Sequence, residues 1–352
     1  MYEQFFGFRE RPFDLTPNPR LLVLTEGHRE ALSNLQYAIA SRKGITLLLG
    51  EAGSGKTTLI RAAIERQASN VHCVHMHNPA LSRPEFVEML AHKFSLSEEA
   101  RTSKTALLLE IEALLRTRDE AGDTTVLIVD EAQSLPDELL EEIRLLANIE
   151  TDERKLLSVI IAGQPELGER LNNPELRQLK QRVALRCELR PLTLTETVGY
   201  LAGRIQAAGG VGRQVFTREA VLLIHERSRG IPRIISVIAD NALLSGFATE
   251  QRPVSSQLVL DVCHDFDIPG LVEPVPVAEP VVAAAEPAKD GRLLSVSPRA
   301  DEAPRSNTSG EERADPLEPE SAGMSGVLAR WRRFLLSDRW PGRSVTPPVS
   351  KP

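Results

Sequence analysis

Gly50-Glu51-Ala52-Gly53-Ser54-Gly55-Lys56-Thr57 is the stretch whose reading decides the fold of this chain. It follows the apolar run Ile45-Thr46-Leu47-Leu48-Leu49 and leads into Thr58-Leu59-Ile60-Arg61-Ala62-Ala63-Ile64, a helical pattern. Strand, glycine-rich turn and helix in that order are the context of a phosphate-binding P-loop. Glycine at 50, 53 and 55 permits a close approach that a Cβ would block. The N–H groups of the turn and of the new helix then point at anionic oxygen. Lys56 has the reach for β and γ phosphates, and the Thr57 hydroxyl suits Mg²⁺. Residues Gly50 through Thr57, with Thr58, are therefore the expected ATP contacts.

A second stretch, Thr124 to Gln133 (TTVLIVDEAQ), carries four consecutive apolar residues before Asp130 and Glu131. Such a run reads as a strand buried on both faces of a parallel sheet. Two adjacent carboxylates at the carboxyl end of that strand are costly unless they serve a cation, and ligands of open α/β sheets bind at that edge. Asp130 is expected to hold Mg²⁺ directly or through water, and Glu131 to orient and deprotonate the attacking water. Alone, the pair reads equally well as a cap for a helix beginning near Pro136. Beside the P-loop it reads as a Walker B acid pair.

The remaining segments arrange themselves around these two. Residues 1–25 form an arm in which Phe5, Phe6, Phe8 and Phe13 crowd together before Pro17 and Pro19. The prolines forbid a continuous helix; the aromatics are expected to plug the core, and an arm walling the adenine pocket is compatible with that. Glu26 to Arg42 has helical spacing. Val71 to His77 reads as a strand with Cys73, His75 and His77 on one face; the set lacks an established zinc spacing, so packed or hydrogen-bonded histidines are the better reading. Two helical patterns, 84–94 and 105–117, precede the Walker B strand, and another lies at 139–146. Lys155 to Ala162 reads as a further buried strand. Gln164, just beyond it, is either an amide near the γ-phosphate or a polar residue opening a loop. Leu176 to Arg190 is rich in arginine: a charged helix face is the default, a trans-acting arginine finger the sharper reading, and residues 184–189 read as a last strand.

From Thr193 the pattern is helical, with a capping box at Thr193 and Glu196 and helices expected over 196–208, 217–228 and 231–248. Pro232 suits a first helical position, which leaves Arg233 facing either a phosphate or a surface acid. Residues 269–325 have the composition of a disordered linker. Val327, Leu328, Trp331, Phe334 and Leu335 then recur among arginines over 326–340. That pattern reads as a basic amphipathic helix for membrane or partner docking, or as accidental periodicity in a tail that ends at 352.

Composition narrows the classes. The chain has 352 residues, 41% hydrophobic and 26% charged, with a net charge of −7, so a general affinity for nucleic-acid phosphate is not indicated. Three cysteines in no CxxC pattern fit a reducing compartment, and no apolar run has transmembrane length. A cytoplasmic protein, peripheral at the inner membrane at most, is expected.

MYEQFFGFRERPFDLTPNPR, the P-loop, VLIVDEAQ, LLANIETDERKLLSVIIAGQPEL, LRQLKQRV and GIPR, in this order over residues 1 to about 268, resemble the ExeA/GspA-like AAA+ ATPases of bacterial secretion and surface-assembly systems. The resemblance implies an α/β P-loop NTPase fold: a three-layer, five-stranded parallel sheet as the core (26–192), a helical lid (193–268) and a disordered tail. It implies ATP bound between core and lid at the interfaces of a homo-oligomer. By position, Gln164 resembles the sensor-1 residue, Arg233 the sensor-2 arginine, and Arg182 the finger reaching a neighbour's γ-phosphate, with Arg177 and Arg186 as weaker candidates. Asn78 resembles the residue that restrains the catalytic glutamate. Relatives of this kind continue into a transmembrane helix and a peptidoglycan-binding domain, which this sequence does not show. The implied role is a motor or switch in type II secretion, pilus or exopolysaccharide export. The alternative is a nucleic-acid-associated AAA+ ATPase of the transposition-targeting or replication-loader type, against which the acidic, proline-rich sequence after the lid counts.

Overall fold

A computed structural model of the chain describes residues 1–14, 23–77, 81–211 and 215–268. Pro17, Pro19, Asn78, the linker and the amphipathic segment lie outside the described residues. Five strands, β1 (Ile45–Gly50), β2 (Val71–Met76), β3 (Thr124–Val129), β4 (Leu157–Gly163) and β5 (Val183–Leu189), form one sheet in the order β2-β3-β4-β1-β5. All four pairings are parallel. Burial of every residue of β1 and β4 explains their uninterrupted apolar sequence, because helices cover both faces.

Helices α2 (Glu26–Ala40) and α3 (Lys56–Glu65) cover one face; α4 (Arg83–Lys93), α5 (Glu98–Thr102), α6 (Lys104–Glu120), α7 (Asp137–Leu146), α8 (Pro165–Arg170) and α9 (Arg177–Arg182) accompany the other. In α7, Leu139, Leu140, Ile143 and Leu146 are the buried stripe, the i, i+1, i+4, i+7 spacing of one helix face. The arginine-rich run 176–190 is not one helix face. It divides into α9, which buries Leu179, and β5, which buries Cys187 and Leu189.

A separate apolar cluster builds the lid from α10 (Leu194–Ala207), α11 (Arg218–Ser228), α12 (Pro232–Ala248) and α13 (Ser256–Asp265). Thr193 and Glu196 make both bonds of the capping box at the start of α10. Helix α13 goes beyond the three lid helices read from sequence; Leu258, Val259, Val262 and Cys263 form its buried face and Ser255 caps it.

The N-terminal arm belongs to this second cluster. Tyr2–Phe6 is a short helix, α1, closed by Gly7, and Tyr2, Phe6, Phe8 and Phe13 are buried among lid residues. The core that these aromatics plug is thus the lid's. Tyr2 Oη donates to the Asp240 carboxylate, and Arg204 donates to the carbonyls of Pro12 and Asp14. Burying one phenylalanine is worth roughly 1.5–3 kcal/mol, so three of them make the arm an integral part of the lid.

Candidate active site

The loop from β1 to α3 is shaped by what lies against it. Gly53 has φ +82°, and a Cβ there would stand 2.6 Å from the Cβ of Arg233. Both the left-handed angle and the close approach of the lid require glycine. The Arg233 N–H donates to the Gly53 carbonyl at 3.2 Å, so the first turn of α12 sits directly on the P-loop. From the other side, His28 of α2 bonds the Ser54 carbonyl through Nε2 at 3.0 Å and Thr25 Oγ1 through Nδ1 at 2.7 Å. Burial pushes the His28 pKa down. His28 carries no sequence signal of this task, since its partner is 26 residues away.

Lys56 is 3% exposed. Its Nζ donates to the carbonyls of Gly50 at 2.7 Å and Glu51 at 3.1 Å. Burial lowers its pKa, while the Glu131, Asp130 and Glu51 carboxylates oppose that shift. The Thr57 hydroxyl donates to Asp130 Oδ2 at 2.6 Å. Asp130 is 2% exposed, and its Oδ1 accepts the Glu131 N–H at 3.0 Å. The Ser54 hydroxyl is buried without a hydrogen-bond partner among the described residues. A buried orphan donor in a glycine cradle, beside a buried ammonium, fits phosphate oxygens. A hydroxyl and a carboxylate in contact fit a hard, oxygen-seeking cation such as Mg²⁺.

Glu131 takes the left-handed conformation, φ 56° and ψ 36°, uncommon for a residue with a side chain. Gln133 Nε2 donates to Glu131 Oε2 at 2.6 Å, and Gln133 Oε1 accepts the Gln164 N–H at 3.1 Å. One amide therefore joins the ends of β3 and β4. Arg170 holds the same turn through the carbonyls of Gln133 and Leu135 and the carboxylate of Asp137. Because β4 pairs with β1, matching Gly163 to Leu49, Gln164 lies between the P-loop strand and the acid pair. Gln133 stood within the DEAQ stretch, but only the fold reveals its bridging position.

The arginines lie elsewhere. Arg182 ends α9, where Val183 pairs with Ile45 at the amino end of β1. The P-loop begins five residues along that strand, roughly 17 Å away at 3.3 Å per residue, so Arg182 does not belong to its own subunit's site. Its side chain is exposed and interacts with the Glu150 carboxylate only through longer-range charge attraction. Arg177 is also exposed, and Arg186, midway along β5, stands 4.0 Å from Glu188. Asn78 lies outside the described residues.

His75 and His77 lie side by side at the end of β2, ring centroids 3.6 Å apart and planes tilted by 44°. Burial first, then His77, Arg61 and Lys93, push the His75 pKa down to about 4. Cys73 does not join them; the residues whose ligand atoms cluster are His75, His77 and Asp130.

A P-loop on a central strand, an acid pair on β3, a polar residue ending the strand between them and a helical lid seated on the loop define a P-loop NTPase fold of the AAA+ class. An AAA domain family profile matches residues 39–171. General secretion pathway protein A of Aeromonas hydrophila is 41% identical over 248 residues, which are 70% of this chain and 45% of that protein. The chain thus spans less than half the length of that relative. Among solved structures, Cdc6p of Pyrobaculum aerophilum superposes with a TM-score of 0.57 at 17% identity, over 72% of this chain and 70% of that one. The ORC2 protein of Aeropyrum pernix, in ADPNP–ADP complexes, gives a TM-score of 0.54 at 17% identity, over 73% and 71%. At such identities the likeness is one of fold. The AAA profile and the secretion-pathway relative both agree with the resemblance to ExeA/GspA-like AAA+ proteins carried by the sequence motifs. Among the described residues no helix is long and apolar enough to cross a membrane.

Proposed function

We propose that the chain binds and hydrolyses ATP and works as a motor or switch in a bacterial envelope-assembly or secretion system. The observation that carries the enzymatic part is the contact of Thr57 with Asp130, 2.6 Å, directly beside the buried Lys56. Lys56 and the loop N–H groups bind the phosphates, and Ser54 adds a hydroxyl donor. Thr57 and Asp130 would hold Mg²⁺, which when bound neutralises charge on the β and γ oxygens. Glu131 orients the attacking water and takes its proton; Gln133 positions Glu131 and ties it to Gln164, whose amide faces the γ-phosphate. Arg233 couples the lid to the phosphates through the first turn of α12. Arg182, remote from its own P-loop, completes the site of a neighbouring subunit, and the active form is accordingly a homo-oligomer. The envelope role rests on the Aeromonas hydrophila relative, and docking through residues 326–340 would bring the particle to the inner-membrane surface.

The test is the ATPase rate per subunit against protein concentration, with anionic vesicles in one series and DNA in another. The expected result is a rate that rises with concentration, and rises further with vesicles only while residues 326–340 are present. In the same assay Glu131→Gln binds ATP with near-normal affinity and turns over on the order of 100-fold more slowly. Normal turnover in that variant overturns the assigned base. Stimulation by DNA alone transfers the cellular role to nucleic acid.

A further inference from the structure

The histidine pair at the end of β2 has no part in the ATPase reading. Parallel pairing brings His75 opposite Ile128 and Met76 opposite Val129, and the Asp130 N–H donates to the Met76 carbonyl at 3.0 Å. The ends of β2 and β3 are thereby locked together, with His75 and His77 on the same strand face. One ligand atom from each of His75, His77 and Asp130 lies within 4.8 Å of the others. His75 Nε2 is buried with no hydrogen-bond partner among the described residues. Buried polar nitrogens are rarely left so, and the His77 ring, 3.6 Å away and tilted by 44°, supplies a second nitrogen close by.

We propose that His75, His77 and Asp130 form an inhibitory site for a borderline transition-metal dication, Zn²⁺ foremost, which takes the Asp130 carboxylate from the Mg²⁺ position. Ligand bonds of about 2.0–2.2 Å set the atoms of a tetrahedral shell roughly 3.5 Å apart, so the three side chains close by shifts of about 1 Å. Two imidazoles select Zn²⁺, Cu²⁺ or Ni²⁺ over Mg²⁺, which demands oxygen. Three protein ligands leave the fourth position to water. Arg61 and Lys93 near His75 oppose a cation there, and the Asp130 carboxylate offsets them. Asp130 Oδ2 already accepts the Thr57 hydroxyl, so a metal drawing on Asp130 disturbs the Thr57–Asp130 pair directly. The inhibitory half of this inference rests on the ATPase reading; the binding half does not.

The experiment separates the two. Full-length protein without nucleotide or Mg²⁺ is titrated with Zn²⁺ against a chromophoric chelator, and with Co²⁺ by visible absorption. One ion per chain is expected, with the intense d–d bands of a tetrahedral site. His75→Asn and His77→Asn should each weaken binding on the order of 100-fold, since loss of even an outer-shell partner costs 10–100-fold. Unaltered Zn²⁺ affinity in both variants, or an octahedral Co²⁺ spectrum in the wild type, overturns the site. Zn²⁺ is then added to the ATPase assay, each protein normalised to its own metal-free rate. Inhibition of the wild type that excess Mg²⁺ relieves, and that both variants resist at least 10-fold, is the expected outcome. Zn²⁺ binding at the site without inhibition refutes the shared use of Asp130. An absence of ATPase activity in every sample, with Zn²⁺ bound, refutes the ATPase reading and leaves the metal site standing.

Discussion

The two edges of the sheet carry charge in opposite ways. At the carboxyl edge, Lys56 and Asp130 are 3% and 2% exposed, and Glu131 is held in a left-handed turn. At the amino edge, Arg42 bonds Thr124, Asp119 and the Asp123 carbonyl, Arg154 shares Asp119, and Lys155 pairs with Glu150. Those partners are ion-paired and mostly in contact with water. Burying ionised groups is costly unless they are compensated, and the carboxyl edge spends that cost at a single place, around an orphan hydroxyl and a glycine cradle. The water-exposed pairs of the amino edge are screened and add little to stability. The exception there is Arg182, which is exposed, forms no close ion pair among the described residues, and feels only the longer-range attraction of Glu150. The contrast separates a ligand site from a structural rim, and Arg182 is the rim residue that the proposed function sends to a neighbouring copy.

The largest effect should come from the carboxyl edge. Lys56→Ala removes the buried ammonium, and both nucleotide affinity and turnover should fall on the order of 10³-fold; fluorescent-nucleotide binding and phosphate release measure the two separately. Retained affinity would mean that the loop N–H groups suffice. Arg182→Ala comes next, with turnover falling about 10²- to 10³-fold, at or below the lower end of arginine-finger contributions, and nucleotide affinity nearly intact. Mixing Arg182→Ala with Glu131→Gln subunits should restore activity, because some interfaces then pair an intact Glu131 with an intact Arg182. A mixture no better than its parts returns Arg182 to the structural rim.

Smaller effects sharpen the picture of the carboxyl edge itself. Gln133→Ala should lower kcat roughly 5-fold, the worth of about 1 kcal/mol of hydrogen bonding, with KM unchanged. A change confined to KM would make Gln133 a packing residue and not a positioning one. His28 gives the smallest effect, seen only against pH. Its folded pKa is depressed by burial, so the unfolded chain binds the proton first. Stability is complete above the ordinary histidine value of about 6.5 and falls as pH drops below it, by at most about 1.4 kcal/mol per unit. His28→Gln should show a shallower decline than the wild type in thermal melts between about pH 7 and 5, since one titrating group has been removed. Equal slopes would place the pH sensitivity elsewhere, His75 being the next group to replace.

Much of the carboxyl edge was legible in the sequence, for a physical reason. A phosphate cradle is built from consecutive residues, so GEAGSGKT states it locally, and a doubly buried parallel strand announces itself as an apolar run ending in DE. The alternation of such runs with helical patterns fixed the α/β class. Groups that meet only through strand pairing were not legible. Gln133 reaches Gln164 because β3 and β4 are neighbours. His28 reaches Ser54 because α2 lies behind the loop. Asp130 joins the two histidines in place of Cys73, which lies one alternation further back along β2, because β2 and β3 end together. The aromatic arm showed its hydrophobicity in sequence, but which core it fills was settled by packing against the lid, some 180 to 260 residues away along the chain. Local motifs are written by backbone geometry over a few residues. The strand order β2-β3-β4-β1-β5 and the seating of α12 on Gly53 arise from contacts between distant segments, and only the tertiary structure decides them.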